Sequence, residues 1–317
     1  MKQKENASLN FYYAKFIAIL VVATGHYFEG SLLWIPATVC LFVFGFSSGY
    51  FTAGKNDHGF DVCQFWQAKI KRLGPTLVIV SAFLAIVFFL EGRSNILSWH
   101  SLVSIFGFSG ILDWLAIKNI SPFGSGLWFL TVLWLFYFIY PVLAGFCKTK
   151  IGAWVVMATS FLLCTLGHFY ASPPYALWPT IFSFFFGIFV RRIEWAPRPY
   201  ISLGLAAVAT LAMLVLNMFG VKWFNYYLLV LVSILVVGFL LTFNSLFLND
   251  RKPLILAACV FEVYLIHTYL FFRFDPVAIG YLLSMTVVLL TAYLLNRVLG
   301  FALLFGENKL SSRNVYR

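Results

Sequence analysis

The sequence predicts an all-α polytopic membrane protein of about ten transmembrane helices, with both termini cytoplasmic. Three observations carry that prediction. The first is composition: of 317 residues, 62% are hydrophobic, 20% aromatic and only 10% charged, at a mean hydropathy of +0.91. Soluble domains hold about 25% charged residues, so this balance excludes one. The second is apolar runs of about 18 to 25 residues recurring from end to end, the length at which a helix crosses a bilayer with its backbone groups bonded internally. The third is the placement of lysine and arginine between alternate runs.

Ten runs follow in order. The first, 10–28, comes after the polar stretch "MKQKENASLN", which carries Lys2 and Lys4; no small-residue cleavage site follows the run, so it is expected to stay as an anchor rather than be removed as a signal. The second, 32–54, ends at Lys55, and the third, 73–91, is entered through Lys69, Lys71 and Arg72. The fourth, 122–146, and the fifth, 151–170, are separated by Lys148 and Lys150. The sixth, 174–191, gives way to Arg191, Arg192 and Arg198 before the seventh, 200–219. The eighth, 224–247, precedes Arg251 and Lys252, the ninth is 254–272, and the tenth, 277–303, precedes Lys309, Arg313 and Arg317. Sixteen of the 22 basic residues thus fall on one side, against Arg93, Lys118, Lys222 and Arg273 on the other. The positive-inside bias makes the crowded side, and with it both termini, cytoplasmic.

The net charge of +11 reads the same way, because its residues sit in short clusters between apolar runs; the expected partner is the lipid bilayer, and no nucleic acid is expected. Cys40, Cys63, Cys147, Cys164 and Cys259 form no C-x-x-C pair and imply neither a disulfide framework nor a metal site. Two connectors are long. "GKNDHGFDVCQFWQAKIKRLGP" ends in a basic amphipathic turn, and residues 91–126 have an apolar middle suited to lying along the interface. No internal repeat is visible, and one transmembrane domain, 1–317, is expected.

Ionisable groups inside spans cost at least about 2.5 kcal/mol each near a helix centre, so they are the first candidates for function. Lys15 and His26 are eleven residues apart, about 16 Å of rise and slightly more than three turns, so they point to nearly the same side at different depths. Lys15 is near enough to the interface to snorkel. His26 has Glu29 three residues on, placed to orient an imidazole acting as general base; an interfacial histidine bonded to a carbonyl is the structural alternative. In "FEVYLIHTYLFF", Glu262 needs a donor on another helix, while Tyr264 and His267 share a face; a structural polar network competes with a functional reading there. Lys69, Lys71 and Arg72 serve topology, or meet phosphates arriving from the cytoplasm.

Together these segments resemble the acyltransferase-3 family of bacterial integral membrane proteins. Lys15 and His26 fit its R/K-x10-H pattern, and "VCLFVFGFSSGYF", with Ser48, Gly49 and Tyr50, is similar to its phenylalanine-rich second span. "FWQAKIKRLGP" resembles its basic segment, with Lys69 and Arg72 at the arginine-like positions before Pro75. "GLWFLTVLWLFYFIYPVL", containing Trp128 and Phe129, resembles its Leu-Trp-Phe-Leu segment, and "FEVYLIHTYLF" its Tyr-Leu-x-His segment with Tyr264 and His267.

The resemblance implies an O-acyltransferase of the bacterial cytoplasmic (inner) membrane, moving an acyl group, usually acetyl, from cytoplasmic acetyl-CoA to a hydroxyl of a surface carbohydrate or lipid-linked glycan. No permanently bound cofactor and no metal are expected; acetyl-CoA is a substrate. The resemblance carries over His26 as the catalytic residue, Lys15 as its companion, and Lys69 and Arg72 as donor-binding groups. Glu29 is expected to orient His26, and Trp128, Glu262, Tyr264 and His267 to line or support a cavity. Lysine at position 15 replaces the commoner arginine and removes a planar fork. A carrier or flippase for a lipid-linked sugar is the alternative of another class; paired broken helices in two related halves would favour it, and none is evident.

Overall fold

The computed structural model describes residues 2–55, 59–124, 126–171, 176–244 and 255–314, and the side chains among them from 6 to 303. The span edges expected at 174, 247 and 254, with Arg251, Lys252 and Arg317, lie outside the described residues; Lys2, Lys4, Lys309 and Arg313 are described by backbone alone. The fold is 80% helix, and no strand occurs among the described residues.

Twelve α-helices follow one another among the described residues: α1 (Lys2–Tyr27), α2 (Trp34–Lys55), α3 (Val62–Leu90), α4 (Trp99–Ile105), α5 (Ser109–Trp114), α6 (Trp128–Leu143), α7 (Lys150–Tyr170), α8 (Leu177–Ile193), α9 (Pro199–Met218), α10 (Asn225–Thr242), α11 (Val260–Ile266) and α12 (Val277–Asn314). Each of the ten expected runs contains helix among the described residues. Seven helices, α1, α2, α3, α7, α9, α10 and α12, are long and apolar enough to cross a membrane. The other three runs are shorter or broken: α6 has 16 residues, α8 has 17, and the ninth run is divided into a 3-10 turn at Ile255–Cys259, α11, and a second 3-10 turn at His267–Tyr269. In α8 every residue from Phe182 to Val190 is buried, so protein rather than lipid shields most of that helix.

Two connectors differ from a simple loop. α3 starts at Val62, eleven residues before the expected span edge at 73, because "VCQFWQAKIKR" contains helix formers and no glycine or proline. The helix continues through Pro75, which gives up one backbone donor. Residues 91–126 hold α4 and α5; Trp99, Leu102 and Ile111 on these helices and Phe106 and Leu115 at their C-caps are exposed, in keeping with an interfacial element.

The chain divides into two compact units: Met1–Val62 with Val132–Pro253, and Cys63–Thr131 with Leu254–Arg317. In the first, α2 packs closely on α8. A Cβ on Gly49 would strike the Phe184 carbonyl oxygen, and one on Gly187 would strike that of Phe46, so only glycine permits this approach. Gly45 and Gly49 form a G-x3-G spacing on α2, the pattern that lets membrane helices meet backbone to backbone. Aromatic rings fill the space around the seam: Phe46 lies 5.8 Å from Phe186, and Phe11 brings α1 onto Phe46 at 5.5 Å. Asn10 donates from Nδ2 to the Leu240 and Phe243 carbonyls at 2.9 and 2.7 Å, serving acceptors at the end of α10.

In the second unit Phe88 of α3 meets Phe123 at 4.9 Å and Tyr269 at 5.4 Å. The connector around α4 and α5 is held by hydroxyls. Ser101 and Ser121 are 2.8 Å apart, Asn119 donates to Ser104 at 3.2 Å, and Thr131 accepts from the Gly110 N–H and donates to the Gly107 carbonyl.

Candidate catalytic and donor-binding residues

Lys15, His26 and Glu29 belong to the first unit. α1 runs unbroken through Lys15 and His26, which puts the two at different depths along one side, too far apart to touch. Both are half-buried. His26 occupies the last turn of α1. Glu29 does not continue the helical face, because α1 stops at Tyr27 and residues 28–30 form a turn with Gly30 at φ 80°. Its exposed carboxylate nevertheless lies within Coulombic range of the His26 ring.

Lys69, Arg72, Trp128, Glu262, Tyr264 and His267 belong to the second unit. Lys69 and Arg72 sit three apart on α3 and share a face, with the Lys69 ammonium 4.9 Å above the Phe65 ring and Arg72 exposed. Trp128 opens α6, half-buried, edge-on to Phe129. Tyr264 supports that helix start: its hydroxyl accepts from the Leu130 N–H at 3.1 Å and donates to the Gly126 carbonyl at 3.3 Å, while its ring meets Phe129 at 5.9 Å. A neighbouring hydroxyl, that of Tyr269, accepts from the Gly124 N–H at 2.7 Å.

His267 is fully buried, and its Nδ1 faces the Tyr264 and Val263 carbonyls at 2.8 and 3.2 Å. Two carbonyl acceptors require Nδ1 to carry a proton. Tyr264 and His267 lie together, rings 6.1 Å apart. The donor that Glu262 needs is Asn296 of α12, whose Nδ2 reaches Oε1 at 2.9 Å. Among the described residues no group of three His, Cys, Asp or Glu is placed to hold a metal ion.

A family model described as an acyltransferase domain, Acyl_transf_3, matches residues 8–305, nearly the whole chain. The chain belongs to the acyltransferase-3 family. Neither a curated protein nor a solved structure matches it. As an acyltransferase-3 member it is a membrane acyltransferase, which requires an acyl donor, an acceptor and the lipid bilayer. Within this acyltransferase, Asn296 and Tyr269 are the supporting residues that the ionisable groups alone did not reveal. Asn296 had a signal, an amide in the middle of an apolar run beside Arg297. Tyr269 had none, since its role depends on a backbone N–H 145 residues away.

Proposed function

We propose that this acyltransferase is an O-acetyltransferase of the bacterial cytoplasmic membrane, moving acetyl from cytoplasmic acetyl-CoA to a hydroxyl of a surface carbohydrate. The observation that carries the reading is His26: the R/K-x10-H spacing lies on one unbroken helix, and the histidine occupies its last turn with a carboxylate in electrostatic range. His26 takes the acceptor hydroxyl's proton as the oxygen attacks the thioester carbonyl. The C–S bond then breaks and the thiolate leaves as CoA thiol with that proton. Lys69 and Arg72 offer two cations on one helix face to the donor's phosphates, and Lys15 is the companion cation of the histidine motif. Trp128 presents a flat indole suited to stacking on a sugar or the adenine.

Transfer of label from acetyl-CoA in membranes tests the assignment. His26→Ala is expected to lower transfer by about 10²- to 10⁴-fold, the usual worth of a general base; full activity removes His26 from the mechanism. Mass spectrometry of surface glycans from cells with and without the gene identifies the acceptor, with loss of an acetyl per repeat as the expected result.

A further inference from the structure

Beyond the acyl-transfer residues, a cleft of about 560 Å³ lies in the second unit between the end of α3 and the chain leading to α4, lined by Ala85, Phe89, Arg93, Asn95, Ile96, Leu97 and Ser98. Its lining is mostly apolar, with Arg93, Asn95 and Ser98 as the polar residues. Phe89 is 76% exposed and Leu97 98% exposed, values that water would penalise and hydrocarbon would not.

The charged residue of this lining is held in place. The Arg93 N–H bonds the Phe88 carbonyl at 2.9 Å and the Gly92 N–H bonds the Phe89 carbonyl at 3.0 Å, the two bonds of a Schellman motif. Gly92, at φ 66°, is in the left-handed conformation that the motif requires. The Arg93 guanidinium lies 5.1 Å over the Phe88 ring, and its Nε donates to Glu91 at 2.6 Å. Glu91 therefore engages the Nε edge, while the terminal nitrogens make no hydrogen bond among the described residues. Arg93 is three residues beyond the apolar helix that ends at Leu90, the level at which hydrocarbon gives way to headgroups.

We propose that this cleft binds a phosphate-headed membrane lipid, with the phosphate on the terminal nitrogens of Arg93 and an acyl chain along Phe89, Ile96 and Leu97. A planar guanidinium fixed along one edge offers two parallel donors to phosphate oxygens. The apolar wall beside it selects a ligand that carries a chain, which distinguishes a lipid from free phosphate.

Native mass spectrometry of the full chain released from detergent, titrated with phosphatidylglycerol or with diacylglycerol of the same chains, tests this. Wild-type protein is expected to retain one phosphatidylglycerol saturably. Arg93→Gln is expected to weaken it about tenfold, the worth of a lost charge-assisted contact, while leaving diacylglycerol unchanged. Leu97→Glu, on an exposed position that does not enter the core, is expected to weaken both lipids. Equal phosphatidylglycerol retention by wild type and Arg93→Gln overturns the phosphate contact, and unchanged binding by Leu97→Glu overturns the chain site. Displacement of the lipid by inorganic phosphate at equal concentration, or non-saturating uptake of both lipids, also overturns the proposal.

Discussion

Glu262 is 2% exposed, accepts one hydrogen bond from Asn296, and keeps its second carboxyl oxygen buried with no hydrogen bond. Removing the amide strands the whole carboxyl, and a buried polar group left without its partner costs about 1 to 3 kcal/mol. Asn296→Ala should lower thermal stability in detergent by that order, whereas Glu262→Leu combined with Asn296→Leu should recover most of it, because an apolar pair leaves nothing unsatisfied. Thermal unfolding of the single and double variants checks both outcomes. At this scale the sequence exposed half of the pair. A carboxylate in an apolar run announces its need for a donor, whereas an asparagine there is a weaker signal that does not say which group it serves. Tyr264 shows the other limit: its motif was visible, whereas its bonds to Leu130 and Gly126 arise only from tertiary folding.

Between elements, the α2–α8 seam depends on the absence of side chains. Gly187 faces the Phe46 carbonyl and the Tyr50 N–H, which are backbone and cannot rotate aside. Gly187→Leu should therefore force the helices apart and cost at least the roughly 1 to 3 kcal/mol of an overpacked core. Gly204→Leu on α9, with nothing near its Cβ, should leave yield and melting temperature unchanged. Size-exclusion yield and thermal melting of both variants measure the difference. Helix existence was readable from apolar length alone. Helix extent was less so: α3 extends into the basic segment because its residues favour helix, and the ninth run breaks into 3-10 turns, which hydropathy does not register.

For the whole molecule, the bias of basic residues gives a sidedness that reactivity reads directly. Cys63 is exposed at the start of α3, while Cys147, Cys164 and Cys259 are buried. The positive-inside bias predicts cytoplasmic termini, so a membrane-permeant maleimide should label Cys63 in intact cells and an impermeant one should not, with Cys63→Ser as the blank; labelling by the impermeant reagent would invert the topology. Class and span order were legible in the sequence because membrane insertion is governed by local hydropathy and charge. The grouping of segments into two units was not, because it depends on contacts between stretches far apart in the chain. The second unit pairs Cys63–Thr131 with Leu254–Arg317, and the 122 residues from 132 to 253 are made between them. At roughly 5 to 20 residues per second, the ribosome takes roughly 6 to 24 s to cross that interval. During that time the Leu130 N–H, the Gly126 carbonyl and the Gly124 N–H have been made but still lack the tyrosine hydroxyls that they bond in the folded chain. Assembly of this half of the enzyme therefore waits on the last fifth of its message.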